Sequence, residues 1–126
     1  MSEAPPVVLI VEDERPIATL LAKLVEGCGV ETAIAHNGAE ALRWMMLRRP
    51  DLVLLDLIMP VMSGEDVLGE MRQNPRLADV PVIVITTKDM MPDSPPLDAE
   101  LLQKPFAPAE VKQRIRAMLK LPPPQA

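Results

Sequence analysis

The stretch DLVLLDLIMPVMSG, residues 51–64, decides the reading of the chain. Leu52 to Leu55 form an unbroken apolar run, and Asp56 follows directly. A carboxylate beside such a run is costly to bury unless it stands at an edge where something pairs with it. A short apolar run ending in one acid reads as a buried strand that delivers Asp56 to a site. An Asp in an ordinary turn gives the same local pattern, so the rest of the chain must separate the two readings.

Upstream, VVLIV (7–11) is a β-branched run and reads as a first buried strand. Pro16 suits the first turn of a helix on which Ile17, Leu20, Leu21, Leu24, Val25 and Cys28 recur at helical spacing, with Gly29 closing it. VETAIAH (30–36) alternates weakly as a second strand. Asn37 can cap a helix carrying Ala41, Leu42, Met45 and Met46, which stops before Pro50. Downstream, Ser63 and Asp66 form a capping-box pattern for a helix with Val67, Leu68 and Met71, ended by Asn74-Pro75. VPVIVITT (80–87) is a fourth strand, Leu101-Leu102 mark a short fifth, and Pro108 opens a last helix with Val111, Ile115, Met118 and Leu119 inward. Strand and helix alternate throughout, which predicts an α/β fold: a doubly wound parallel sheet with helices on both faces.

Composition agrees. The 126 residues allow one domain. At 48% hydrophobic the chain is not of disordered type, and with only 2% aromatics its core must be aliphatic and Met-rich. A net charge of −5 and the absence of a Lys/Arg cluster argue against direct nucleic-acid binding. Cys28 is the single cysteine, so no intrachain disulfide forms, and a core thiol is the plain reading. No signal peptide or bilayer-length apolar run is present, so no membrane partner is expected and a cytoplasmic location is the default.

In parallel sheets of this kind the site lies beyond the carboxyl ends of the strands. There the sequence places Glu12-Asp13-Glu14, Asp56, Thr86-Thr87 and Lys104-Pro105. Carboxylates brought together repel, and a hard divalent cation such as Mg2+ relieves that. A lysine and a hydroxyl beside them would hold an anion next to the metal. The set suits transfer of a phosphoryl group onto Asp56. Each residue also has a plain reading: helix-start acids, a strand-forming Thr, a solvated loop Lys. Their coincidence at the ends of different strands favours the site. His36, without a His or Cys neighbour in sequence, reads as a solvated loop residue, and Met90-Met91 as loop side chains against the sheet.

From about Val7 to Leu121 the chain resembles the receiver domain of two-component response regulators. LIVEDE, DLVLLDLIMPVMSG, PVIVITT and QKPF stand in order and at nearly that family's spacing. The resemblance implies five parallel strands in the order 2-1-3-4-5, a tail at 1–6, the receiver domain at 7–121 and a Pro-rich tail at 122–126. It implies that Asp56 accepts a phosphoryl group from a phosphohistidine of a sensor histidine kinase or phosphotransfer protein. Glu12, Asp13, Asp56 and the backbone carbonyl of Ile58 would hold Mg2+, Thr86 and Lys104 would contact the phosphoryl group, and Lys104-Pro105 would be a cis peptide. Output would run through a downstream protein that the sequence does not name.

Three departures stand out. Leu101 occupies a position that is usually aromatic, which removes one polar element of the family's switch. The segment before Lys104 is shorter by about one helical turn and holds Pro92, Pro95 and Pro96. Interior prolines cost roughly 3 kcal/mol each in a helix, so the fourth helix of the family is expected to be replaced or shortened by a loop at 88–98. The receiver dimer built on that element is then not expected. Thr87 replaces a small residue and, with Ile58 and Lys88, is expected to slow hydrolysis of a phosphoryl adduct. Two other functions fit less well. A phosphorylation-independent binding module of the same fold would not need Asp56, Thr86 and Lys104. A haloacid-dehalogenase-type phosphohydrolase would need an acid where Ile58 stands.

Overall fold

The computed structural model describes residues 4–57, 59, 62–87 and 99–121. Five strands, β1 (Val7–Val11), β2 (Glu31–Ala35), β3 (Leu52–Asp56), β4 (Val82–Thr87) and β5 (Glu100–Lys104), form one sheet in the order β2-β1-β3-β4-β5. Every pairing is parallel. Four helices, α1 (Arg15–Glu26), α2 (Gly38–Leu47), α3 (Gly64–Gln73) and α4 (Pro108–Leu119), complete the described residues. The expected loop at 88–98, the pair Met90-Met91, residues 1–3 of the N-terminal tail and the tail at 122–126 lie outside them.

β1 and β3 are buried at every position because both faces are covered. Alternate side chains feed two cores, since successive strand residues point to opposite faces. Leu9, Val11, Val53, Leu55, Val82 and Val84 pack with Met45, Val67, Leu68 and Met71 of α2 and α3. Val8, Ile10, Leu52, Leu54, Ile83 and Ile85 pack with Leu21, Val25, Val111 and Ile115 of α1 and α4.

The predicted helix boundaries appear with their chemistry. Asn37 accepts from the Glu40 amide at 2.8 Å. Ser63 and Asp66 form a reciprocal capping box at the start of α3. Gly29, at φ 82°, closes the turn after α1 in the left-handed region that suits glycine. Two faces differ from the expected ones. On α1 the buried stripe is Ala18, Leu21, Ala22 and Val25, and Leu20 is exposed. Small alanines let the helix approach the sheet, which turns the larger Ile17–Leu20–Leu24 row to the flank. On α2, Met46 is exposed rather than inward: Ala41 and Met45 are the buried side chains facing β1 and β2, with Leu42 partly buried beside them.

Gly64 fixes α3 against the strand that carries Asp56. Its amide donates to Leu57 O at 2.9 Å, and a Cβ there would overlap the Asp56 carbonyl oxygen and crowd Leu57 Cα. Gly69, in the same helix, has open space where a Cβ would go. Gly64→Ala is therefore expected to lower unfolding free energy by about 1–3 kcal/mol, while Gly69→Ala raises it by about 1 kcal/mol through helix propensity. Urea unfolding of the two variants checks this; equal effects would contradict the close approach at Gly64.

Candidate functional site

The strand register brings the predicted residues to one end of the sheet. Val11 pairs with Leu55, so Glu12 stands level with Asp56. Asp56 pairs with Ile85, and Thr87 with Lys104. Glu12, Asp56 and Thr86 are the three buried polar residues among those described, at 1%, 7% and 2% exposure. A buried acid at the end of each of two adjacent central strands is not a turn pattern, and the plain reading of Asp56 fails on that ground.

Lys104 answers the charge. Its Nζ donates to Glu12 Oε1 at 3.1 Å and lies 3.7 Å from Asp56 Oδ2. Burial pulls the ammonium toward deprotonation, but the charges of Asp56, Glu12 and Glu14 and the bond to Glu12 outweigh it, so its pKa stands above the ordinary value. Glu12 shows the unrelieved part. Burial first, then the hydrogen bond and charge of Asp56, push its carboxyl up to about 7, against the help of the Glu14 amide and Lys104. The Lys104-Pro105 peptide is cis.

Glu12, Asp13 and Asp56 each place a carboxylate oxygen within 4.8 Å of the others. Hard oxygen donors at that spacing fit Mg2+. Ile58, whose carbonyl was expected to join them, lies outside the described residues. A cavity of about 210 Å3 adjoins the acids, lined by Glu14, Asp56, Thr86, Thr87 and Lys104. Thr86 Oγ1 donates to Thr87 O at 3.5 Å. Leu101 is half-buried against the α2/α3 core, and its carbonyl accepts from Arg114 Nη1 at 2.9 Å. Arg114 also pairs with Glu100 and Glu110, at 3.3 and 3.6 Å.

Two residues gained meaning only from the structure. His36 lies in the bend after β2, as read, but is half-buried there: its Nδ1 lies 3.3 Å from Glu12 O, and Arg15 Nη1 lies 3.4 Å from its Nε2. It braces the turn that carries the acids. A histidine directly after a strand, at the same end of the sheet, was the available signal. Gly64 buttresses the backbone behind Asp56, and only its place after the capping serine hinted at that.

A protein-family model described as response regulator receiver domain matches residues 8–116. The chain is 36% identical over 118 residues to the alkaline phosphatase synthesis transcriptional regulatory protein PhoP of Bacillus subtilis, covering 90% of this chain and 48% of that one. It is 35% identical over 117 residues to the DNA-binding response regulator MtrA of Mycobacterium tuberculosis, covering 90% and 50%. The chain thus spans about half the length of the curated relatives it matches. Among solved structures it superposes on the receiver domain of a sensor histidine kinase from Pseudomonas aeruginosa PAO1 with a TM-score of 0.83 at 26% identity, covering 93% of this chain and 99% of that one. That structure has a magnesium ion coordinated in its active-site cleft.

The raised carboxyl of Glu12 sets a pH dependence for the metal-free protein. A native pKa of about 7 against an ordinary 4.5 means that the native state holds this proton more tightly than the unfolded chain. Stability from this group is therefore lost as pH rises from about 4.5 to about 7. With a chelator present, the urea midpoint of the wild type is expected to fall across that window relative to Glu12→Gln. Parallel pH profiles for the two proteins would contradict it.

Proposed function

The chain belongs to the response regulator receiver family, whose members accept a phosphoryl group on an aspartate, and we propose that Asp56 is that aspartate here. The observation that carries the reading is the cavity bounded by Asp56, Thr86 and Lys104, residues delivered by the ends of three different strands. A nucleophile must be rigid yet reachable, and the carboxyl end of a central strand provides both. The donor is a phosphohistidine on a sensor histidine kinase or phosphotransfer protein. An Asp56 carboxylate oxygen forms the new P–O bond while the donor's P–N bond breaks. The electron pair returns to the imidazole, which takes up a proton.

Glu12, Asp13 and Asp56, with the Ile58 carbonyl, are the residues that would hold Mg2+. When bound, the ion neutralises charge between the acids and the phosphoryl oxygens. Lys104 supplies a fixed ammonium for one phosphoryl oxygen, released from part of its pairing with Glu12 and Asp56 as the charge shifts outward. Thr86 supplies a hydroxyl that can exchange its long bond to Thr87 O for a phosphoryl oxygen. Leu101 has no polar tip with which to follow that movement, so the signal passes through packing of Leu101 and through β5, which Arg114 ties to α4. Thr87, at the cavity wall, would narrow water access and lengthen the life of the adduct.

Receivers are phosphoacceptor signalling domains rather than enzymes in the usual sense, and any self-catalysed phosphotransfer or autodephosphorylation belongs to this same site. Output runs through protein–protein contacts from a domain spanning 7–121. The chain's net charge of −5 argues against direct nucleic-acid binding by these residues; the DNA binding named for MtrA is that protein's. No helix among the described residues is long and apolar enough to cross a membrane, and a cytoplasmic site of action suits a partner of two-component kinases.

Incubation with Mg2+ and phosphoramidate, followed by intact mass, tests the reading. One phosphoryl adduct is expected on the wild type and none on Asp56→Asn or without Mg2+. Lys104→Ala should label about 100-fold more slowly or worse, the usual cost of losing one donor to a developing charge. Equal labelling of Asp56→Asn would contradict the assignment.

A further inference from the structure

One wall of the cavity beside Asp56 has no part in that chemistry. Glu14 lines it together with Asp56, Thr86, Thr87 and Lys104. Glu14 is the N-cap residue of α1, but its side chain makes no capping hydrogen bond. The bonds it makes are of its backbone: the amide donates to Glu12 Oε2 at 3.2 Å, and the carbonyl accepts from the Ala18 amide at 2.9 Å. The helix therefore does not explain the carboxylate. The side chain is exposed and borders the cavity.

The charges around it make that position consequential. Glu12, Asp13 and Asp56 form the cluster suited to a divalent ion, and with Lys104 and such an ion their charges cancel. Glu14, whose charge also acts on Lys104, is the further carboxylate lining the cavity among the described residues. Lys104, the cation that lines the cavity among the described residues, is already engaged with Glu12 and Asp56. Arg15 turns instead toward His36.

We propose that Glu14 selects the phosphodonor by charge: its carboxylate at the cavity wall disfavours free dianionic phosphodonors and favours donors whose phosphoryl group arrives beside positive charge. This rests on Asp56 being the phosphoacceptor. In each case the Asp56 oxygen forms a P–O bond, and the bond to the leaving group breaks with its electron pair, as acetate from acetyl phosphate or as ammonia from phosphoramidate. The two donors differ in what they bring to Glu14. Acetyl phosphate is a dianion at neutral pH, whereas phosphoramidate is a monoanion that carries an ammonium.

The test compares initial labelling rates with both donors, at saturating Mg2+, for the wild type, Glu14→Gln and Glu14→Asp. Glu14→Gln is expected to label roughly threefold faster with acetyl phosphate at low salt, the size of one screened charge across a small cavity. The gain with phosphoramidate should be much smaller, the acetyl phosphate gain should vanish at about 0.5 M salt, and Glu14→Asp should keep the wild-type ratio. If the wild type labels but the ratio of the two rates is the same in Glu14→Gln, or both rates fall together at every salt concentration, charge selection by Glu14 is overturned and the phosphoacceptor reading stands. A wild type that labels with neither donor overturns both.

Discussion

Two carboxylates, Glu12 and Asp56, are buried side by side at the carboxyl ends of the two central strands, and the site is organised around the cost of keeping them there. Neither belongs in a hydrophobic core without compensation. Lys104, arriving from the edge strand on the far side of β4, supplies part of it through a 3.1 Å bond to Glu12 and a 3.7 Å approach to Asp56. The remainder appears as the raised Glu12 pKa. The protein thus holds a charge imbalance that a divalent cation would remove. The sheet makes the arrangement possible because strands covered on both faces are rigid and can end abruptly at the site.

Support around those strands is placed to hold the acids rather than to relieve them. Gly64 lets α3 press against the backbone of Asp56 and Leu57. His36 holds the carbonyl of Glu12 from the end of β2. On the other flank Arg114 ties Leu101 and Glu100 of β5 to α4, so that the strand carrying Lys104 is fixed from outside the site. Under the proposed function, movement of Lys104 toward a bound anion would load β5 against these contacts.

Much of this was legible because burial on both faces writes a strand as a continuous apolar run. VVLIV, LVLLD and VIVITT could be read directly, and the polar residues where those runs end, Glu12, Asp56 and Thr86, then had to be at the site. Caps were legible for a similar reason, since Asn37 and Ser63 with Asp66 satisfy specific orphan amides. Less was visible where context rather than pattern decides. The spacing on α1 suited two adjacent stripes, and the alanine-bearing one won because it lets the helix lie closer to the sheet. β5 extends over Glu100–Lys104, although only its Leu pair suggested a strand, because an edge strand has one side open to polar residues. His36 meets Glu12 O only through what lies opposite it in space, and no spacing rule encodes that.

The central claim, that the buried acids hold a charge deficit a divalent cation fills, is tested most directly by calorimetric titration with Mg2+ in two buffers of different ionisation enthalpy. At about pH 6 the Glu12 carboxyl, with its pKa of about 7, still carries its proton. One saturable site is predicted, with a heat that differs between the buffers because binding expels that proton, and with no such difference in Glu12→Gln. Absence of saturable binding, or identical heats in the two buffers for the wild type, would contradict the account.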